Sequence, residues 1–89
     1  MFRMVQLSRL DGKSVAVVLD LSGQEVVWIG TGIYQSDGSL GQVLRIRFDD
    51  RHEAVGRPEF LIQETQWRGP ILDGSGYGCD YAMAIMRPA

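Results

Sequence analysis

Short β-type runs separated by glycine-containing turns restrict the fold of this chain more than any other feature. Ser14–Leu19 reads SVAVVL, and Gln42–Phe48 places three apolar side chains on one face. A two-residue period and β-branched side chains are typical of strands, whereas a helix needs apolar positions three and four residues apart. Asp11-Gly12 predicts a tight hairpin after the first run, since its glycine tolerates positive φ. The chain is therefore expected to be built from strands.

About six strands are predicted, over residues 2–8, 14–19, 25–34, 42–48, 60–67 and 81–87. Because tight turns join them and crossover helices are missing, we expect an all-β, antiparallel meander forming a small barrel or a half-open curled sheet. One short helical turn is expected near residues 49–55, with Gly56 as its stop. A chain of 89 residues is too short for two cores, so residues 1–89 are interpreted as a single small β domain.

Eleven glycines are more than turns alone require. Gly30 and Gly32 fall on one face of the third run and indicate a bend, a bulge or the close approach of something flat. The late loop at residues 68–80 holds four glycines, and the last three of them are spaced Gly-x-Gly-x-Gly. That spacing matches neither a dinucleotide fingerprint nor a P-loop, and two flanking aspartates disfavour phosphate. The loop is interpreted either as structural or as a ligand contact.

The charge balance and the single cysteine limit the partners and the compartment. A net charge of −2 makes a nucleic-acid partner unexpected, because phosphate binding requires a basic surface. No apolar run reaches the roughly 18–20 residues of a membrane helix, and no signal peptide is visible. One cysteine, Cys79, allows no internal disulfide, so a cytoplasmic protein is expected. Neither a cofactor nor a metal is expected, since the acidic cluster around His52 lacks the spacing of a known metal site.

Aromatic residues give the best functional signal, because they fall at strand ends and in the late loop. Aromatic walls with a few charged groups bind flat or cationic molecules. The candidate ligand-binding residues are Tyr34, Trp67, Arg68, Asp73, Tyr77 and Tyr81. The function favoured by the sequence is a non-enzymatic binding module for a small molecule or a protein partner. A domain this small gains stability when it buries more of its surface. We therefore also predict that it self-associates as a homo-oligomer, with a dimer favoured.

Two other functions stay open from the sequence. The first is a small hydrolase-like enzyme that uses Cys79 with His52, or a carboxylate such as Glu64, in the mouth of a barrel. Asp80 beside the thiol disfavours a reactive thiolate, so an enzyme is the less favoured hypothesis. The second is a structural protein that docks onto a partner by a free sheet edge.

Overall fold

The computed structural model describes residues 5–21, 23–48, 59–67 and 69–85. They form one six-stranded sheet in the order β4-β3-β2-β1-β6-β5, which confirms the all-β prediction. The strands are β1 Ser14–Leu21, β2 Gln24–Ser36, β3 Gln42–Phe48, β4 Glu59–Gln63, β5 Ile71–Asp73 and β6 Tyr81–Ile85. The edge strands β4 and β5 do not pair with each other, so the sheet is open and the expected barrel is wrong.

The predicted antiparallel meander is correct for the first four strands and for the last two. β1 pairs antiparallel with β2, β2 with β3 and β3 with β4, and β5 pairs antiparallel with β6. However, β6 pairs in parallel with β1, from Val15 opposite Tyr81 to Leu19 opposite Ile85. Parallel neighbours need a long crossover, and here the whole segment from β2 to β5 supplies it. No crossover helix was needed, because the parallel strands are not consecutive.

Several predicted elements differ from the structure. Leu7–Leu10 is a 3₁₀ turn, so the described part of the strand predicted over residues 2–8 is not a strand, and Asp11-Gly12 connects this turn to β1 and does not close a hairpin. The run at 60–67 ends as a strand at Gln63, and Glu64–Gln66 is a second 3₁₀ turn. Ile71–Asp73, interpreted as loop, is strand β5. The helical turn near 49–55 lies outside the described residues.

The long strand β2 bridges the two halves of the meander. It pairs with β1 through Thr31 and with β3 from Gly30 onward. Gly32 lies directly against the Leu7–Leu10 turn: its N–H donates to the carbonyl of Lys13 at 2.9 Å, and its carbonyl accepts from Gly12 at 2.8 Å. A Cβ on Gly32 would overlap the carbonyl oxygen of Leu10. This glycine therefore accommodates the backbone of Leu10.

The core lies on one face of the sheet, which we call the core face. The Leu7–Leu10 turn covers it, and Tyr34, Phe60 and Trp67 pack at its margin. Its buried side chains are Leu7, Leu10, Val15, Val17, Trp28, Leu44, Ile46, Phe48, Ile62, Ile71 and Met83. The opposite face holds a smaller cluster of Ala16, Val18 and Ala82, covered in part by Tyr77 and Cys79. We call it the back face.

Candidate functional site

An open cleft of about 410 Å³ lies where the starts of β1 and β6 meet the end of β5. This volume is within the range of roughly 300–1,000 Å³ that ligand sites occupy. Its lining within the described part of the chain combines aliphatic side chains, one tyrosine, one cation and two carboxylates: Val5, Lys13, Ile71, Leu72, Asp73, Asp80 and Tyr81. Such a surface offers apolar contact and charges of both signs within one depression.

A cluster of hydrogen bonds between Ser14 and Asp80 builds the floor of the cleft. Asp80 Oδ2 accepts from the backbone N–H and from the hydroxyl of Ser14, each at 3.0 Å. In return, the Asp80 N–H donates to Ser14 Oγ at 2.9 Å. These contacts join residues 66 positions apart and set the register in which β6 enters beside β1. They hold Lys13, Asp80 and Tyr81 at the same end of the sheet.

The same contacts favour the ionised form of Asp80. The pKa of this carboxyl is lowered, chiefly by the hydrogen bond from the Ser14 backbone and then by the one from the Ser14 hydroxyl. The charge of Lys13 acts in the same direction, while partial desolvation opposes it. The carboxylate therefore stays charged at neutral pH and stabilises the β1–β6 junction.

Replacing this carboxylate changes how stability depends on pH. A lowered pKa in the folded state contributes stability that is present above the unfolded pKa and is lost as pH falls through the folded value. We expect Asp80→Asn to lower the urea midpoint at pH 7, and the difference from the parent to shrink as the pH falls toward 3. Urea unfolding across that range measures it. Asp37→Asn is the control, since Asp37 makes no side-chain cap; an Asp80→Asn difference that is constant with pH would contradict the assignment.

The edge strand β5 forms one wall of the cleft in an unusual way. Side chains of a strand alternate between faces, so Leu72 points to the opposite side from Ile71 and Asp73. All three nevertheless line the cleft. The cleft therefore reaches side chains on both faces of β5 and is not confined to one face of the sheet. Leu72 is 37% exposed there.

The glycine-rich loop after β5 is held by its own contacts. Gly74 packs so closely on the Tyr81 backbone that a Cβ would come within 2.7 Å of it. The carbonyl of Gly74 accepts from the N–H groups of Tyr77 and Cys79, and Asp73 Oδ1 accepts from Ser75 N–H at 2.9 Å. Gly78 has φ +73°, a conformation that disfavours other residues. These contacts give the glycines of this loop structural roles.

Tyr77 attaches the glycine-rich loop to the back face of the sheet. Its ring packs beside Ala16, Val18 and Ala82, and its hydroxyl donates to Glu25 at 2.9 Å. This hydrogen bond, followed by desolvation and the charge of Glu25, raises the pKa of Tyr77. The phenol therefore stays protonated and ties the loop to β2.

Tyr34 and Trp67 belong to the margin of the core face. Tyr34 donates from its hydroxyl to Glu64 Oε2 at 2.7 Å, and this bond is the main cause of the raised pKa of Tyr34. Glu64 lies just beyond β4, so the bond spans β3. Trp67 packs on Gly69, where a Cβ would come within 2.7 Å of the indole ring. Both aromatic side chains cover the ends of the core.

The predicted ligand residues thus fall into three places. Asp73 and Tyr81 line the cleft, Tyr77 lies on the back face, and Tyr34 and Trp67 border the core. Arg68 lies outside the described residues. Sequence reasoning missed five lining residues, which share no signal in the sequence: Val5, Lys13, Ile71, Leu72 and Asp80.

Cys79 is half-buried, and its thiol lies 3.6 Å from the Tyr77 carbonyl oxygen. Its partner in the enzyme hypothesis, His52, lies outside the described residues, as does the acidic cluster around it. Glu64 accepts the Tyr34 hydroxyl and is not among the cleft-lining residues. Among the residues with described positions, no three His, Cys, Asp or Glu side chains group closely enough to hold a metal ion.

Over the described ranges, no helix has the length and apolar character needed to cross a membrane. A scan against models of protein families gives no match to this chain, and neither the curated proteins nor the solved structures contain one that matches it.

Proposed function

We propose that this chain is a non-enzymatic binding module that takes an extended segment of a protein partner along the outer edge of β5, in the cleft. The observation that carries the proposal is that three successive residues of β5 line the cleft. A segment lying there would run beside the strand backbone instead of resting on one face. Recognition by addition of a strand is a common mode for peptide ligands.

The backbone of β5 supports this mode. Among the described strands, β5 pairs only with β6, which leaves the N–H and C=O groups of its outer side for another strand. Unpaired backbone groups at a sheet edge favour such pairing. Added hydrogen bonds would give affinity, and contacts with alternate side chains would give specificity.

The charges of the cleft favour a basic residue in the partner segment. Of the lining residues with described positions, Lys13 contributes one positive charge, whereas Asp73 and Asp80 contribute two negative ones. Each aspartate uses one named oxygen within the fold, Asp73 Oδ1 and Asp80 Oδ2, and its other oxygen is left for a ligand. The exposed Leu72 offers an aliphatic contact beside them. An aliphatic residue next to a lysine or arginine is the pattern we expect in the ligand.

A small molecule is the second candidate, and the volume of the cleft favours it. Among the residues that the structure describes, Tyr81 is the one aromatic side chain that lines the cleft, so a flat aromatic ligand would stack on a single ring there. We therefore place the site at the cleft and not among the other aromatic residues.

The single cysteine is still the basis for expecting the module in the cytoplasm.

Selection from a displayed library of random short peptides against the full chain tests the proposal. We expect enriched peptides to pair an aliphatic with a basic residue, and Leu72→Arg to weaken their binding at least about tenfold in fluorescence anisotropy. That substitution removes the apolar contact and repels a basic ligand, and Leu72 is exposed enough to leave the fold intact. Leu40→Arg, at a 42% exposed turn position, is the matched control.

Two outcomes would overturn the proposal. One is a selection that enriches no peptide. The other is enriched peptides that bind Leu72→Arg and the parent chain equally well, since such peptides would lie elsewhere. Urea midpoints of both arginine variants, measured in parallel, separate lost binding from lost folding.

A further inference from the structure

The opposite edge of the sheet, β4, differs from β5 in length and composition. It has five residues, EFLIQ, and in the described sheet its only neighbour is β3. The strand itself contains no glycine, proline or lysine, the residues that commonly protect an edge from pairing with another chain. Its one charged side chain, Glu59, already pairs with Arg45 at 2.8 Å. This edge is therefore suited to a second strand.

We propose that two copies of this chain pair antiparallel through β4, about a two-fold axis at Leu61, so that the sheet continues from one copy into the other. The order of residues in β4 supports this register. It places Leu61 opposite its own copy, Phe60 opposite Ile62, and Glu59 opposite Gln63. Each of these pairs lies on one face of the joined sheet, because residues opposite each other in an antiparallel pair share a face.

Each pair in this register is chemically compatible. Leu61 is 43% exposed and would be covered by the same side chain of the second copy. Phe60 beside Ile62 is an aromatic and β-branched pair, a favourable type, and it would join the two core faces. Glu59 would meet an amide, while the two Glu59 carboxylates lie about 14 Å apart along the strand, from a rise of ~3.4 Å per residue.

Other registers are poorer. The pairing must shift by two residues to keep each side chain on its face. A shift in one direction places Leu61 opposite Glu59, and a shift in the other places it opposite Gln63. Both also leave part of the strand unpaired. The second copy is thus the partner that β4 matches over all five residues.

Sedimentation of the full chain tests the dimer. We expect the parent to sediment at twice its 9.9 kDa chain mass, and Leu61→Arg to sediment at the mass of one chain. The substituted side chains would place two positive charges opposite each other on the axis. Leu40→Arg, equally exposed, should stay dimeric, as should Leu72→Arg on the other edge. A parent that sediments as a single chain at high concentration would overturn the proposal.

A cross-link tests the register without relying on dissociation. With Cys79→Ser as the background, Leu61→Cys should form a disulfide-linked dimer under mild oxidation, since opposed residues of antiparallel strands have Cα atoms about 4.5–5.5 Å apart, within disulfide range. Leu40→Cys in the same background should stay uncross-linked. Equal cross-linking of both variants, or a dimer lost in Leu72→Arg but kept in Leu61→Arg, would refute pairing at β4. Neither result bears on peptide binding at β5.

Discussion

Gly32→Ala should lower the free energy of unfolding by about 1–3 kcal/mol or more, the cost of forcing extra volume into a packed site. The added Cβ would overlap the carbonyl oxygen of Leu10, a backbone atom with no rotamer to change. The two hydrogen bonds of Gly32, with Lys13 and Gly12, hold β2 against this turn. The overlap is relieved only by losing them. Urea unfolding monitored by Trp28 and Trp67 fluorescence measures the effect.

Gly76→Ala is the matched control for this prediction. An added Cβ there meets no atom within 4 Å, and the backbone is outside the positive-φ region. Replacing such a glycine reduces the freedom of the unfolded chain, so we expect a gain of about 0.4–1 kcal/mol or no change. Similar losses in the two variants would show that the contact with Leu10 is not the cause.

Leu10→Ala should be the most damaging truncation, at about 2–5 kcal/mol. Leu10 is 0% exposed and lies in the Leu7–Leu10 turn, which packs on the core face. Its loss would leave a cavity between the Leu7–Leu10 turn and the sheet, where Leu44 and Ile46 are also fully buried. Chemical denaturation gives the difference in free energy.

Leu40→Ala removes the same atoms from an exposed turn. We expect it to change stability by less than about 0.5 kcal/mol, as surface substitutions do. The difference in stability between Leu10→Ala and Leu40→Ala measures how much the burial of the Leu7–Leu10 turn contributes to the core. If both alanine variants unfold at the same urea concentration, the turn contributes little to stability and our description of the covered core face is wrong.

The strands that were predicted best are those whose residues carry a clear alternation of apolar and polar side chains. β3 was predicted with its observed bounds, because three alternating apolar side chains leave one choice of face. β5 was missed because three residues carry no measurable period. The strand predicted over residues 2–8 rested on a loose alternation, and its last two residues instead begin the 3₁₀ turn Leu7–Leu10, in which the two buried leucines are three residues apart. The parallel pairing of β1 and β6 has no local signal at all.

The candidate site was harder to predict than the strands for a related reason. Asp73 and Tyr81 were selected because they flank the glycine-rich loop. Lys13 and Asp80 line the same cleft only because β6 enters beside β1, and no spacing between them reveals it. The aromatic residues, which seemed to form one group, are divided by the sheet, with Tyr77 on the back face and Tyr34 on the core face.

The parallel junction of β1 and β6 also has a consequence for the order of folding. The hairpins from β1 to β4 form between neighbours in sequence, but Ser14 and Asp80 come together across 66 positions. Contacts of such long range form slowly because a large loop must close first. Until then β1 is itself an open edge, lined by the apolar run from Val15 to Val18. A nascent chain that ends before Tyr81 would expose β1 as an edge strand. Pairing with β6, the last strand in the sequence, is what would protect β1 from aggregation.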